Sequence, residues 1–413
     1  MDQANVLLIE LDELSTLIVG IIALFIGRQV RHSVPLLRKI DMPNAVIGAM
    51  IVAVLVLLGQ LFFDVSVTFG SRMRDALLLI FFTTIGLSAK FDALLAGGKP
   101  LIYLCLVTVL VLLAQNFGGA AFAWMWGAHP AFGVLAGSLS FVGGPGTAMA
   151  WAQQLEAQGL EGATVVGVGA ATLAVTAGAL VAGPITGWII ARHKLHAAAP
   201  PSDVTFANEP PPAADPDAGS IERLLASVLV IATAVLLGEK INVWAGDAGF
   251  ILPGFLSAMI AGVLLTNLAD LFRYQMDFAP IERGGAVALQ LFLVTALMAT
   301  PLISVAQIIV PLILNVILQV VITVALAYFL LFRLLGRDYD AAVAVGGFLG
   351  FGLSSMPVAM ATMDEVSRRY GPSPKAFLLI TLAGSFFVDL ANAFIAKGVL
   401  ALPFFAITPP VAG

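Results

Sequence analysis

The chain has 413 residues, of which 60% are hydrophobic and 11% charged, with a formal net charge of −5 at pH 7 and a mean hydropathy of +1.01. So few charges cannot cover a soluble domain, and whole segments such as LIYLCLVTVLVLLA (101–114) are continuously apolar. These lack the polar–apolar alternation of a barrel strand, so the expected spans are α-helices of about 20 residues.

The N-terminal segment is acidic (Asp2, Glu10, Asp12, Glu13) and carries no basic n-region, so no cleaved signal peptide is expected. Ten spanning helices are predicted near 14–30, 44–63, 76–94, 100–124, 163–191, 221–238, 251–268, 286–305, 310–333 and 376–403. Two further apolar segments, 133–157 and 343–363, are too rich in Gly and Ser for ordinary spans and are predicted to be re-entrant hairpins. Ten crossings put both termini on one side. The loops this topology assigns to the cytoplasm hold 16 of the 20 Lys and Arg, the others being Arg72, Arg74, Lys240 and Lys397. By the positive-inside rule both termini are then extracytoplasmic, in a bacterial inner membrane.

Residues 197–220, with six prolines, four acids and no basic residue, read as a flexible cytoplasmic linker between halves 1–196 and 221–413. A shift of 210 residues aligns Pro43 with Pro253, Gly137 with Gly347, Leu139 with Leu349 and Phe141 with Phe351. One inserted residue brings Thr84 onto Thr295 and Pro100 onto Pro311. Each half has five crossings, so the second enters the membrane upside down. The expected fold is an all-α integral membrane protein of two inverted five-helix repeats, each with a re-entrant loop, the arrangement of a secondary transporter.

In the first hairpin, Gly143, Gly144, Pro145 and Gly146 break the helix, and Thr147 is the expected N-cap of the run that follows. In the second, Ser354 or Ser355 is the expected cap, with Pro357 in the first turn. Two half-helix N-termini meeting near the midplane would favour an anion. Close packing by small residues is the competing reading.

Asp389 is the only carboxylate near the centre of a span, where a charge costs about 2.5 to 3.5 kcal/mol. No Arg or Lys lies at its depth, so a sodium ion or a proton is the expected counter-charge, with Asn392 one turn on as a second oxygen. Thr84, before Ile85-Gly86, is a further candidate sodium ligand, or else bonds its own backbone. Gln115, Asn116, Asn315 and Gln319 are expected to bridge helices. Lys397 is expected to snorkel, and Trp124, Trp126 and Trp244 to sit at the outer interface. The lone Cys105 is an apolar core residue with no disulfide partner, and the four histidines form no ligand set.

The segments FFTTIGLSAKFDALLAGGKP, GSLSFVGGPGTAMAW, RDYDAAVAVGGFLGFGLSSMPVAMATM, RYGPSPKAFL and FFVDLANAFIAK resemble, in order, the bacterial glutamate:sodium symporter family. That family is similar in architecture to the 2-hydroxycarboxylate transporters. The resemblance implies sodium-coupled uptake of L-glutamate by alternating access, as a homodimer in the bilayer, with sodium as coupling ion and no other cofactor. Matching positions are Gly143, Gly144, Gly146 and Thr147, then Gly350, Phe351, Gly352, Leu353 and Pro357, then Asp389 and Asn392. Two places depart from the family pattern. Pro145 stands where the family often has His, and Ser354, Ser355 and Met356 replace Gly-Ala-Thr. Another small carboxylate such as malate or citrate, and proton coupling through Asp389, are the alternatives. No HExxH, serine–histidine pair or paired aspartates lie within the spans, so an enzyme is not expected. No nucleic-acid partner is expected either. A channel is the remaining class, against which the antiparallel duplication argues.

Overall fold

The computed structural model describes residues 7–34, 43–90, 98–197, 221–248, 252–272, 276–299 and 308–407. The predicted linker lies outside the described residues, apart from Ala197. In chain order the elements are β1 (Leu7–Leu11), α1 (Glu13–Ser33), α2 (Asn44–Phe63), β2 (Val65–Phe69), α3 (Arg72–Leu87), α4 (Gly98–Met125), α5 (Pro130–Leu139), α6 (Gly144–Ala157) and α7 (Ala163–His193). The second half holds α8 (Ile221–Asp247), α9 (Gly254–Leu271), α10 (Phe278–Leu297), α11 (Ile309–Leu334), α12 (Tyr339–Leu353), α13 (Met356–Tyr370) and α14 (374–400).

Among the described residues, eight helices are long and apolar enough to cross a membrane: α1, α2, α4 and α7 to α11. Large apolar side chains such as Phe62, Phe63, Leu106, Leu180, Leu229 and Ile317 point outward from them. Water would not tolerate that surface and lipid does. The chain is a multi-pass, essentially all-helical membrane protein. The sequence predicts ten spans, and the other two are present as helices. However, α3 has only 16 residues, and α14 is divided by a π-helical turn, Ala383–Phe387.

Boundaries moved where a polar cap overrode the apolar pattern. Helix α10, expected at 286–305, starts at Phe278 because Asp277 caps it, accepting from the Ala279 N–H at 3.2 Å. Its first turns carry exposed Glu282 and Arg283, which an apolar window passes over. Helix α8 runs to Asp247, beyond the expected 238.

The sequence gives no sign of strands, yet β1 and β2 pair in parallel, from Leu7 opposite Val65 to Leu11 opposite Phe69. Each strand leads directly into a helix, β1 into α1 and β2 into α3. Parallel pairing therefore requires α1 and α3 to start at the same level, with α2 returning between them. Glu13 completes the joint by accepting from the Arg72 N–H at 3.0 Å and the Met73 N–H at 2.9 Å, so an acid of α1 caps α3. The Thr16 hydroxyl accepts from the Gly70 N–H at 2.9 Å.

The helices pack as two groups that each draw on both halves of the chain. In one, α1, α2 and α3 pack with α8, α9 and α10; in the other, α4 to α7 pack with α11 to α14. Two prolines 210 residues apart each precede a helix of the first group with nearly the same backbone angles. Pro43 precedes α2 with φ −59° and ψ 138°, and Pro253 precedes α9 with φ −60° and ψ 140°. Gly27 of α1 lies against the backbone of Gly48, as Gly238 of α8 lies against that of Ala258. The end of α3 is tied to α9 by three bonds. The Thr266 hydroxyl donates to Leu87 O (2.6 Å), Asn267 Nδ2 donates to Ala89 O (2.8 Å), and Lys90 pairs with Asp270 (3.0 Å).

The two Gly- and Ser-rich segments are helix–break–helix units, α5 with α6 and α12 with α13. The longest of these helices has 15 residues, about 22 Å at 1.5 Å per residue, and cannot cross a hydrocarbon core of roughly 30 Å. Every residue of α12 except Asp340 is buried. Broken backbone within a membrane persists only where protein surrounds it or it lines a cavity.

Candidate functional site

At the first break, Gly144 opens α6 with φ +68°, a value that costs other residues strain. Pro145 occupies the first turn, where its missing N–H leaves no donor wanting. This corrects the expectation for Thr147. Gly143 holds the cap position with no side-chain cap, and Thr147 is a buried residue inside the first turn. The proline moved the start upstream, since its fixed φ suits a helix's first positions.

At the second break, Ser354 (φ −154°, ψ −81°) ends α12 and Ser355 (φ −168°, ψ 164°) stands at the N-cap of α13, with Pro357 in the first turn. Ser355 makes no side-chain capping bond. Ser354 is fully buried and its hydroxyl has no hydrogen-bond partner among the described residues.

The fold brings these two breaks together. A Cβ placed on Gly144 would stand 3.7 Å from the Ser354 carbonyl oxygen. Around them, Gly178 of α7 backs onto the Ser354 side chain, and Gly384, in the π turn of α14, backs onto the Met356 sulfur. A Cβ on Gly146 would come within 2.7 Å of Leu289 of α10 and 3.3 Å of Phe81 of α3. The breaks thus lie where the two helix groups meet, with the N-termini of α6 and α13 directed to one junction. Such termini offer unpaired N–H groups and partial positive charge.

Next to this junction is a polar network that the sequence only partly foreshadows. Gln115 Nε2 donates to Thr323 Oγ1 (2.8 Å) and to the Gly352 carbonyl (3.0 Å). Gln319 Nε2 donates to the Gln115 carbonyl (3.0 Å), and Asn315 Nδ2 to the Ala136 carbonyl (2.7 Å). The expected bridging role of these side chains is seen, and their bonds satisfy carbonyls close to both breaks. Ser138, beside the non-helical Gly137, is the residue that sequence reasoning missed. Its N–H reaches Asn116 Oδ1 (3.3 Å), its carbonyl accepts from Asn392 Nδ2 (3.1 Å), and its hydroxyl lies 2.8 Å from Asn116 Oδ1 and 2.6 Å from Asn392 Oδ1. All three residues are fully buried. The only sequence signal was an Asn within a span and a Ser in a glycine-rich turn.

Asp389 is half-buried, three residues before Asn392 on α14, with no hydrogen-bond or ion-pair partner among the described residues. Thr84 stands elsewhere, against Gly285 of α10, with its hydroxyl bonded to the Phe81 carbonyl at 2.7 Å. The structure gives it no contact with Asp389 or Asn392. Two cavities lie among these helices, neither of them lined by residues 143–147 or 354–357. One of about 970 Å³ follows the first helix pair past Gly133, Ala136, Met149 and Gln153 to Asn315. Another of about 530 Å³ lies between α7 and α13, with Thr362, Glu365 and Arg369.

The model of one family, described as sodium/glutamate symporter, matches residues 9–372. The chain belongs to the sodium/glutamate symporter family. Curated members of it are close in length and sequence. The sodium/glutamate symporters of Escherichia coli (strain K12) and Shigella flexneri are each 35% identical over 402 residues, 96% of this chain and 99% of theirs. That of Haemophilus influenzae is 34% identical over 388 residues, 92% of this chain and 95% of its own. This is a family of transporters, not enzymes.

Proposed function

We propose that the chain is a secondary transporter that carries L-glutamate into the cell in symport with sodium, by alternating access. The observation that carries this reading is the meeting of two helix breaks, Gly144 beside Ser354, at the junction of the two helix groups. Family membership supplies the substrate and the coupling ion, since glutamate and sodium are what the relatives' names state.

Glutamate binds at the junction, where its carboxylates meet the N–H groups at the starts of α6 and α13. Gly143, Gly144, Gly146, Thr147, Ser354, Ser355 and Pro357 form this site, with Asn392 at its edge. Sodium binds near Asp389 and Asn392, because an unpartnered carboxylate within a span needs a counter-charge. Thr84, the further candidate ligand, donates its hydroxyl to its own backbone at the Phe81 carbonyl, which favours the alternative reading of that residue. The two halves, 1–196 and 221–413, are inverted repeats with re-entrant pairs at 133–157 and 343–363. The matched backbone at Pro43 and Pro253 and the short, buried helices support this. The termini are extracytoplasmic, the linker 197–220 is cytoplasmic, and the functional unit is a homodimer.

Uptake of labelled L-glutamate into proteoliposomes, with an inward sodium gradient or with choline in its place, tests the reading. Accumulation only with sodium is expected. Folded protein that accumulates malate or citrate instead would tie Pro145 and Ser354–Met356 to another carboxylate. Accumulation driven by a pH gradient without sodium would replace the coupling ion.

A further inference from the structure

The cavity of about 530 Å³ between α7 and α13 takes no part in the junction of the breaks. Its wall on α7 is Ala179, Gly183 and Gly187, spaced four apart along one face of the helix. A Cβ on Gly183 would meet no described atom within 4 Å, so this space is not filled by the protein's own side chains. On the facing wall, Val358, Ala361 and Thr362 of α13 give way to Glu365 and Arg369. From Val358 to Arg369 the helix rises roughly 16 Å, half of a hydrocarbon core of about 30 Å. Leu180, next to Ala179, is exposed, so the groove opens toward lipid. Its charged end lies at a membrane interface. A Cβ on Gly187 would stand 3.5 Å from the Tyr370 hydroxyl, and the exposed Trp188 beside it has its ring 5.2 Å from that of Tyr328. Tryptophan and tyrosine gather at headgroup level.

Glu365 and Arg369 differ from the pair beside them. Asp364 and Arg368, also four residues apart on α13, close on each other at 2.6 Å. Glu365 and Arg369 do not, and among the described residues neither has an ion-pair partner. Arg369 lies instead over the Tyr370 ring, 5.3 Å from its centre. We infer that this groove binds a phospholipid with an ethanolamine headgroup, its phosphate on Arg369, its ammonium on Glu365 and one acyl chain along Gly183, Ala179 and Val358. Residues four apart on a helix stand about 5–6 Å apart at Cβ, a gap that a phosphate and an ammonium joined by two carbons can bridge. The guanidinium suits the phosphate, and the ammonium's N–H groups suit the carboxylate. A choline headgroup carries methyls in place of those donors, and a glycerol headgroup offers Glu365 no cation. The lipid would tie α7 to α13, whose N-terminus forms half of the junction. This site rests on neither glutamate nor sodium.

The test is thermal unfolding of the full chain, purified in detergent and supplied with dioleoyl lipid bearing an ethanolamine, choline or glycerol headgroup. Ethanolamine lipid is expected to raise the Tm of the wild type by several degrees more than either of the others, since a ligand that binds only the folded state stabilises it. That advantage is expected to disappear in Glu365→Gln and Arg369→Gln, which each remove one charge. It is also expected to disappear in Gly183→Leu, whose side chain enters the open groove without displacing a neighbour at Cβ. Equal Tm values for the three lipids in the wild type would overturn the proposal, whatever the variants do. An ethanolamine advantage that all three variants keep would overturn it too, by moving the lipid to another surface. Phosphoethanolamine without acyl chains that reproduces the whole gain would reject the lipid in favour of a water-soluble zwitterion.

Discussion

Three residues differ in what they ask of their surroundings. Gly144 needs backbone freedom, because φ +68° is a conformation that L side chains rarely adopt, although the Ser354 carbonyl would lie at ordinary contact distance from a Cβ there. Gly144→Ala is expected to lower stability by about 1 kcal/mol or more and to raise the glutamate KM, read by thermal unfolding and uptake kinetics. Asp389 needs a counter-charge instead. Asp389→Asn keeps the shape and removes the charge, so sodium-driven uptake should vanish while expression and elution stay as in the wild type. Uptake at wild-type rate and sodium affinity in that variant would falsify the coupling role. Ser354 needs a partner, since its buried hydroxyl has none among the described residues. If glutamate supplies it, Ser354→Ala will raise KM without lowering Tm, because no internal bond is lost.

At the scale of elements, the chain places its breaks by proline and glycine and its joints by acids. Pro145 and Pro357 each lie in the first turn of a short helix, and Pro43 and Pro253 each precede a long one. The joint between β1–α1 and β2–α3 depends on Glu13, which caps a helix almost sixty residues away. Glu13→Ala is expected to lower the melting temperature, since two helix-start N–H groups lose their acceptor, and to leave uptake kinetics unaltered. A calorimetric or fluorescence melt of the purified protein would measure it. A change in sodium dependence instead would give Glu13 a role in transport that its position does not suggest.

For the whole molecule, the division into two helix groups differs from the division into two sequence halves. Each group takes its helices from both halves, and the breaks meet on the boundary between the groups. A relative displacement of the groups would expose that boundary to one side of the membrane or the other. The orientation is open to a direct test in a Cys105→Ala background. Cysteines at Glu161 and Lys194, both exposed and at opposite ends of α7, should react with a membrane-impermeant thiol reagent from outside and from inside respectively. The reverse labelling would invert the whole topology.

Composition and hydropathy alone determine that this is a helical membrane protein, because a bilayer dictates long apolar runs whatever they pack against. The positions of the two breaks are legible too, since Pro145 and Pro357 fit best in the first turn of a helix, whereas the glycines of α12 are carried inside one. The family is likewise legible from residues such as GSLSFVGGPGT and FFVDLANAF in order. The tertiary structure decided what no single segment carries. It set the start of α10 by Asp277 and the start of α6 by Pro145, overriding Thr147. It paired two strands that have no local signature and gave Glu13 its distant helix. Above all it brought Asn116, Ser138 and Asn392 onto one hydroxyl, from helices up to 276 residues apart. Local pattern reports what a residue can do with its neighbours in the chain. Which polar groups meet at one hydroxyl is settled only when separate helices pack and water is excluded between them.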